Sequence, residues 1–257
     1  MHQPHKDNFC IFGRKPILDS LKDGKRFDKL LILKNSSGDE IREIQMLARQ
    51  FEIPMQQVPR EKLDSVTQKY SRHREVNHQG IIGFQSMVDY HSIDDVIHNV
   101  LSEGKNPLFL LLDGITDVGN FGAIARSAEC LGAHALIIPT QGAAQINSEA
   151  MKSSAGALNK IFVCREKSLL TTVKYLKANG FRVYGTDMRD SSEISKVDFT
   201  IPCAIVMGAE GSGVSKEILK NCDETIRIPM SGTTESLNVS VSAGIILYQA
   251  QAQRDSA

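Results

Sequence analysis

The sequence contains no tryptophan, carries no net charge and has no long apolar run. Its 257 residues include 30 Lys and Arg against 30 Asp and Glu, which excludes a supercharged chain, and a hydrophobic content of 41% excludes a collagenous or disordered one. No apolar stretch approaches the roughly 20 residues that cross a bilayer. The opening MHQPHKDNF lacks the apolar centre of a signal peptide, so a cytoplasmic location is expected, with no membrane contact. The five cysteines, Cys10, Cys130, Cys164, Cys203 and Cys222, are odd in number, scattered and never spaced as Cys-x-x-Cys. The seven histidines include no His-Glu-x-x-His pair. Reduced thiols are therefore expected, and no metal site.

What is present divides in two. Chains of this length commonly split into cores of roughly 100 to 200 residues. Residues 29–34 (KLLILK) and 79–84 (QGIIGF) read as strands around a helix at 39–50, whose Ile41, Ile44, Leu47 and Ala48 share one face, and so describe a small α/β unit. Between Gln85 and Asn106 the sequence is mixed and polar around one helical pattern, Ile93, Val96, Ile97, Val100 and Leu101, before Pro107 opens a new apolar run. This places a first domain at 1–84, a linker at 85–105 and a second domain at 106–257. From Leu108 onward apolar strands alternate with helices: LFLLL at 108, ALIIP at 135, KIFVC at 160, RVYGT at 182, CAIVM at 203 and TIRIP at 225. Runs apolar on both faces and separated by helices predict a mostly parallel sheet covered on both sides.

The balanced charge names no partner, but one stretch departs from it. Arg60, Lys62, Lys69, Arg72, His73, Arg74 and His78 lie close together with only Glu61, Asp64 and Glu75 as acids. Such a cluster either meets a polyanion or is a solvated loop.

Three strand-to-helix loops carry most of the chemistry, in the position where open parallel sheets bind ligands. In the first, Asp113 to Gly122, a helix starting near Gly122 would put Asn120 at its mouth and Arg126 about one turn in, aimed at one pocket. Alternatively Asn120 only caps the helix and Arg126 meets a surface acid. The second loop, Gly208-Ala209-Glu210-Gly211-Ser212-Gly213-Val214-Ser215, fails as a Walker loop because Val214 stands where the lysine must be. It fails as a dinucleotide loop because Lys216 replaces the third glycine. What remains is adaptable backbone with one carboxylate and no cation, suited to a ligand without a polyphosphate, unless Glu210 merely balances a helix dipole. The third loop runs from Ile228-Pro229-Met230 to Ser236-Leu237-Asn238 and into a C-terminal helix. Ser236 and Asn238 each need a partner or a ligand there, although Ser236 or Thr234 could be a simple cap. Val241, Ala243, Gly244, Ile245 and Ile246 give that helix a small and apolar face that permits close helix packing.

Taken in order, Asn120-x-Gly122-x-x-x-Arg126, Gly208-Ala209-Glu210-Gly211-x-Gly213, and Ile228-Pro229-Met230 through Ser236-Leu237-Asn238-Val239-Ser240 resemble the three motifs of the TrmH/SpoU group of SPOUT methyltransferases. The leading domain, with Phe12-Gly13-Arg14 and His78-Gln79-Gly80, resembles the substrate-binding domain of the ribosomal RNA ribose methyltransferases of that group. Two departures stand out: Asp117-Val118-Gly119 replaces the common Asp-Pro before the motif asparagine, and Gly13-Arg14-Lys15 replaces the usual Gly-[Ile/Arg]-His/Asn.

The resemblance implies an α/β SPOUT domain with a C-terminal trefoil knot, threading about residues 205–250, although threaded chains are otherwise rare. It implies methyl transfer from S-adenosylmethionine to a ribose 2′-hydroxyl of RNA, most like the enzymes of large-subunit ribosomal RNA guanosines, by a homodimer whose subunits would pack through the small and apolar face of the C-terminal helix. Arg126, Asn120, Glu210, Ser236 and Asn238 would serve catalysis. Gly208, Glu210, Gly211, Ile228, Met230, Ser236 and Leu237 would hold the cofactor. A transfer RNA ribose methyltransferase and a catalytically silent RNA-binding or ribosome-assembly protein are the alternatives. A nucleotide-dependent Rossmann enzyme stands last, because both phosphate fingerprints fail.

Overall fold

A computed structural model describes residues 10–71, 76–189, 191–234 and 236–256. Arg72, His73 and Arg74 of the basic cluster, with Glu75, lie outside the described residues. The chain forms two compact units that divide between Met87 and Val88.

The first unit contains β1 (Cys10–Phe12), α1 (Arg14–Lys22), β2 (Phe27–Leu33), α2 (Asp39–Gln50), β3 (Met55–Val58), α3 (Arg60–Tyr70) and β4 (Ile81–Gln85). Its sheet has the order β1-β4-β2-β3, with β4 antiparallel to β1 and β2, and β3 parallel to β2. Alternation along β2 splits the core. Leu30 and Ile32 pack with Ile17 and Leu21 of α1 and Ile41 and Ile44 of α2, while Leu31 packs with Leu63 and Val66 of α3.

The second unit contains β5 (Tyr90–His91), α4 (Ile93–Ser102), β6 (Leu108–Asp113), α5 (Val118–Cys130), β7 (Ala135–Pro139), α6 (Ser148–Ser153), β8 (Phe162–Glu166), α7 (Leu169–Ala178), β9 (Arg182–Thr186), β10 (Ser192–Glu193), β11 (Cys203–Gly208), α8 (Lys216–Leu219), β12 (Glu224–Arg227) and α9 (Val239–Arg254). The eight strands run in the order β10-β12-β9-β11-β6-β7-β8-β5, with every described neighbour pair parallel. Period-two alternation explains the continuous apolar runs. Leu108, Leu110 and Leu112 enter one core with α5 and α9, and Phe109 and Leu111 enter the other with α4 and α7.

Three expectations are corrected. Residues 88–105 are not a linker: β5 pairs with β8, and Ile93, Val96 and Val100 of α4 are buried against Phe109 and Leu111. The helix after the first loop starts at Val118, four residues before Gly122, with Asp117 as its cap accepting from the Asn120 amide at 2.7 Å. On α9, Ala243 and Ile246 are buried inside the chain, and a Cβ on Gly244 would stand 3.7 Å from Ser127 Oγ of α5. Part of this face therefore closes the unit itself, while Val241 of the same face and Tyr248 are the large apolar residues that α9 leaves exposed.

The last turn of α9 is clasped. The Arg254 guanidinium donates to the carbonyls of Phe199 (2.8 Å), Ile201 (3.0 Å), Pro107 (3.2 Å) and Asn106, and Gln253 bonds Phe199 N–H and Val197 C=O. One side chain thus ties the C-terminal helix to the entries of β6 and β11. All five cysteines are free, and burial pushes Cys164 up to about 12 and Cys203 up to about 11, so both are held as unreactive thiols.

Candidate active site

The C-terminal ends of β6, β9, β11 and β12 lie side by side, and the functional loops leave from them. β11 ends in Gly208, where the chain folds back so that Gly213 N–H donates to Ala209 C=O at 2.9 Å. A Cβ on Gly208 would fall inside the main chain of Gly213 and Val214; no other residue type permits this approach. Gly211 and Gly213 take φ of +84° and +65°, the left-handed region where glycine is favoured. Ser215 N–H then donates to Asp113 Oδ2 at 2.8 Å, pinning the end of this loop to the end of β6.

This loop, the end of β12 and the third loop enclose a cavity of about 730 Å³. Gly208, Glu210, Gly211, Ile228, Met230, Ser236 and Leu237, the residues assigned to cofactor binding from sequence, all line it. Sequence reasoning misses the opposite wall, Thr186, Asp187, Met188 and Arg189 after β9, and Ser242 and Ile246 of α9. A signal for it exists, because RVYGT reads as a parallel strand whose C-terminal end must open on the same edge. Burial works to raise the Asp187 carboxyl, but hydrogen bonds from the Arg189 amide and guanidinium and from the Met188 amide outweigh it and hold it below its ordinary value.

Beside the cavity the three loops meet through side chains. Asn238 caps α9 with its Oδ1, which accepts from the amides of Ser240 (2.9 Å) and Val241 (3.4 Å). That use fixes the orientation of the carboxamide. Its Nδ2 therefore faces the other way and donates to Glu210 Oε1 at 2.6 Å and Asn120 Oδ1 at 3.0 Å. Asn120 Nδ2 donates to the same Glu210 oxygen at 3.2 Å. Asn120 in the first turn of α5, Glu210 after β11 and Asn238 at the cap of α9, up to 118 residues apart, form one closed triangle. Glu210 is thus held by two carboxamides, not by a helix dipole, and Asn238 is the cap that Ser236 and Thr234 are not.

Arg126 is not brought to this cavity. With α5 starting at Val118 it lies six residues beyond Asn120, about 120° round the helix. It is exposed, with no hydrogen bond or ion pair among the described residues. No group of three or more His, Cys, Asp or Glu among the described residues is placed to hold a metal ion.

Residues 107–248 match the SpoU rRNA Methylase family, and residues 10–91 match the family described as RNA 2'-O ribose methyltransferase substrate binding. A Bacillus subtilis (strain 168) protein, YacO, named for the TrmH family of tRNA/rRNA methyltransferases, is 31% identical over 95% of this chain and 96% of its own. An uncharacterized tRNA/rRNA methyltransferase of Mycolicibacterium vanbaalenii is 33% identical over 100% of this chain and 80% of its own. Among solved structures, the SpoU methyltransferase AviRb of Streptomyces viridochromogenes, in complex with the cofactor AdoMet, superposes with a TM-score of 0.61 at 27% identity, covering 97% of this chain and 91% of that one. The chain belongs to the SpoU, or TrmH, family of RNA methyltransferases.

Proposed function

We propose that the protein transfers a methyl group from S-adenosylmethionine to the 2′-hydroxyl of a ribose, on a guanosine of large-subunit ribosomal RNA. The observation that carries this is the meeting of Asn120, Glu210 and Asn238 from three separate segments of the chain beside the glycine-built cavity. S-adenosylmethionine fits that cavity chemically. It carries no phosphate, and the Gly208–Ser215 loop offers main-chain groups and a carboxylate with no Walker lysine. Ile228, Met230 and Leu237 supply apolar surface for an adenine. When bound, the cofactor supplies an electrophilic methyl group.

The chain's own residues must do the rest. A ribose hydroxyl is a poor nucleophile until its proton leaves or its growing charge is stabilised. Arg126 suits the second of these roles. A guanidinium stays protonated below a pH of roughly 12, so it orients the target phosphate and stabilises the alkoxide, with proton loss shared with that phosphate. The Asn120–Glu210–Asn238 triangle fixes the loop edge on which the nucleophile rests, with Ser236 on the same rim. Because Arg126 stands exposed and away from its own chain's cavity, it serves the cavity of a second copy in a homodimer, paired through the face of α9 that leaves Val241 and Tyr248 uncovered. The trefoil knot belongs to this reading. β11 sits between β6 and β9, the chain then crosses to β12 beyond β9, and α9 returns to be clasped at residues 106–107.

Mapping 2′-O-methylation in ribosomal and transfer RNA from cells with and without the gene tests the proposal. Loss at one guanosine of the large-subunit RNA is expected. Loss confined to transfer RNA would move the substrate. No loss in either, with S-adenosylmethionine still bound, would make the protein an RNA-binding assembly factor.

A further inference from the structure

Among the described residues two carboxylates line the cavity, Glu210 and Asp187. Glu210 is taken up by Asn120 and Asn238, whereas the Asp187 carboxyl is bonded only within its own loop. The sheet fixes where Asp187 stands. β9 pairs with β11 so that Gly185 lies opposite Val206, and continuing that register sets Asp187 beside Gly208. On the other side the Asp187 amide donates to Ile226 C=O of β12 at 3.1 Å. Asp187 is thus the residue at which the end of β9 opens onto the cavity, between β11 and β12.

Its carboxyl is ionised and has acceptor capacity to spare. The Arg189 amide and Nε donate to Oδ1 at 3.0 and 3.4 Å, and with the Met188 amide they hold the group below its ordinary value although burial works against them. An ionised carboxylate has about four acceptor sites, so these donors leave one for a ligand. Arg189 does not seal it off: its side chain is 80% exposed, against 19% for Asp187, and so exposed a partner adds little.

S-adenosylmethionine carries donors in three places: the adenine amine, the two ribose hydroxyls and the ammonium of its methionine end. Strand order chooses among them. The strands run β12-β9-β11-β6. Ile228 and Met230, which offer apolar surface to the adenine, follow β12, and the methyl group has to arrive beside Asn120 and Glu210, which follow β6 and β11. The ribose links the adenine to the sulfonium, so it crosses the end of β9, the strand between. In dinucleotide-binding sheets an acidic side chain takes a ribose hydroxyl in the same way. We propose that Asp187 accepts hydrogen bonds from the 2′- and 3′-hydroxyls of the cofactor's ribose and so selects a ribonucleoside cofactor. The inference rests on S-adenosylmethionine as the cofactor and names the residue that reads its sugar.

S-adenosylhomocysteine, which keeps the ribose and has no methyl group to transfer, is the probe, together with its 2′,3′-dideoxy form. In calorimetry on the full-length protein, Asp187→Asn should weaken S-adenosylhomocysteine by about ten- to a hundredfold, the span of a hydrogen bond to a charged group. Asparagine keeps an oxygen for the Arg189 amide. The dideoxy form lacks both donors, so it should bind the variant and the unaltered protein within about threefold of each other. Equal weakening of both ligands would mean that Asp187 only shapes its loop, and it would overturn the inference, as would undiminished affinity in Asp187→Asn. 5′-Methylthioadenosine has the diol without the methionine end and should also bind Asp187→Asn more weakly; identical binding to both proteins would give Asp187 to the ammonium instead. An unaltered protein that binds none of these compounds would overturn the cofactor reading itself, a result distinct from loss of the coupling alone.

Discussion

Asn238 works with opposite ends of one carboxamide: its oxygen caps α9 and its nitrogen holds Glu210 and Asn120. Two substitutions separate these roles. Asn238→Ala loses both and should lower the stability of the protein by about 0.5 to 2 kcal/mol in denaturant unfolding, the usual cost of a lost cap. Asn238→Asp keeps an acceptor for the helix amides but sets a carboxylate against Glu210, so it should unfold near the unaltered midpoint while methyl transfer falls at least tenfold. Equal activity in the aspartate variant would mean that the triangle only fastens loops. His134 offers a test by pH. Its Nδ1 accepts from Leu108 N–H at 3.0 Å, and burial, then the charges of Arg254 and Lys105, push it down to about 4 from 6.5. Above about pH 6.5 both folded and unfolded chains hold it neutral and its contribution is complete. As pH falls toward 4 the unfolded chain takes a proton that the folded one refuses, so stability declines. Discounted for its partial exposure, the decline between pH 7 and pH 5 should be about 1 kcal/mol larger than in His134→Asn, which keeps an acceptor and cannot titrate there.

Elements are legible in the sequence where one physical signal dominates. β6 and β11 are buried on both faces, so LFLLL and CAIVM could be nothing but central strands. β3 gives no such signal, because Met55, Gln56 and Gln57 are exposed and only Val58 is buried, leaving no alternation to read. β5 is two residues long, and without a recognisable strand before it α4 reads as part of a linker. The misplaced start of α5 has a different cause. Gly119 and Gly122 read as loop punctuation, yet Gly122 lies within the helix because α6 packs against it, with Ser153 Cβ 2.5 Å and Ala150 C=O 2.9 Å from where a Cβ would be. Of the candidate site, the wall made by the loops is legible from side-chain chemistry; the wall after β9 is signalled only by RVYGT as a parallel strand, because Thr186 to Arg189 carries no motif and strand order alone brings it beside the loops. These corrections decide where the chain can be cut. A fragment of residues 88–257 should fold cooperatively, whereas 106–257 loses β5 and α4 and uncovers Phe109 and Leu111. The shorter fragment should therefore aggregate or unfold several degrees lower, each uncovered large side chain costing about 1.5 to 3 kcal/mol. Identical melting of the two would mean that residues 88–105 contribute nothing to the second unit.

At the scale of the whole molecule the open demand is an unpaired cation for the transition state, since Arg189 and Arg227 line the cavity but are paired with Asp187 and Glu193. The cavity and its triangle offer a carboxylate and two carboxamides at their junction, and Arg126 stands clear of both on the same chain. A homodimer resolves this if each Arg126 reaches the partner's cavity, since a two-fold interface brings the same patch of both subunits together. Arg126→Ala should then leave S-adenosylmethionine affinity nearly intact while lowering turnover by about a hundredfold or more, because it removes charge stabilisation needed mainly in the transition state. Arg126→Lys should recover little, as an ammonium does not reproduce the planar fork that grips a phosphate. Sharing is tested by mixing two inactive proteins, Arg126→Ala and Glu210→Ala, and letting subunits exchange. In a mixed dimer the cavity of the Arg126→Ala subunit keeps its own Glu210 and receives the other chain's Arg126, so one of two sites is complete and about a quarter of the unaltered activity should return in an equal mixture, half of whose dimers are mixed. If each chain used its own Arg126, neither cavity of a mixed dimer would be whole, and mixing two inactive proteins would restore nothing.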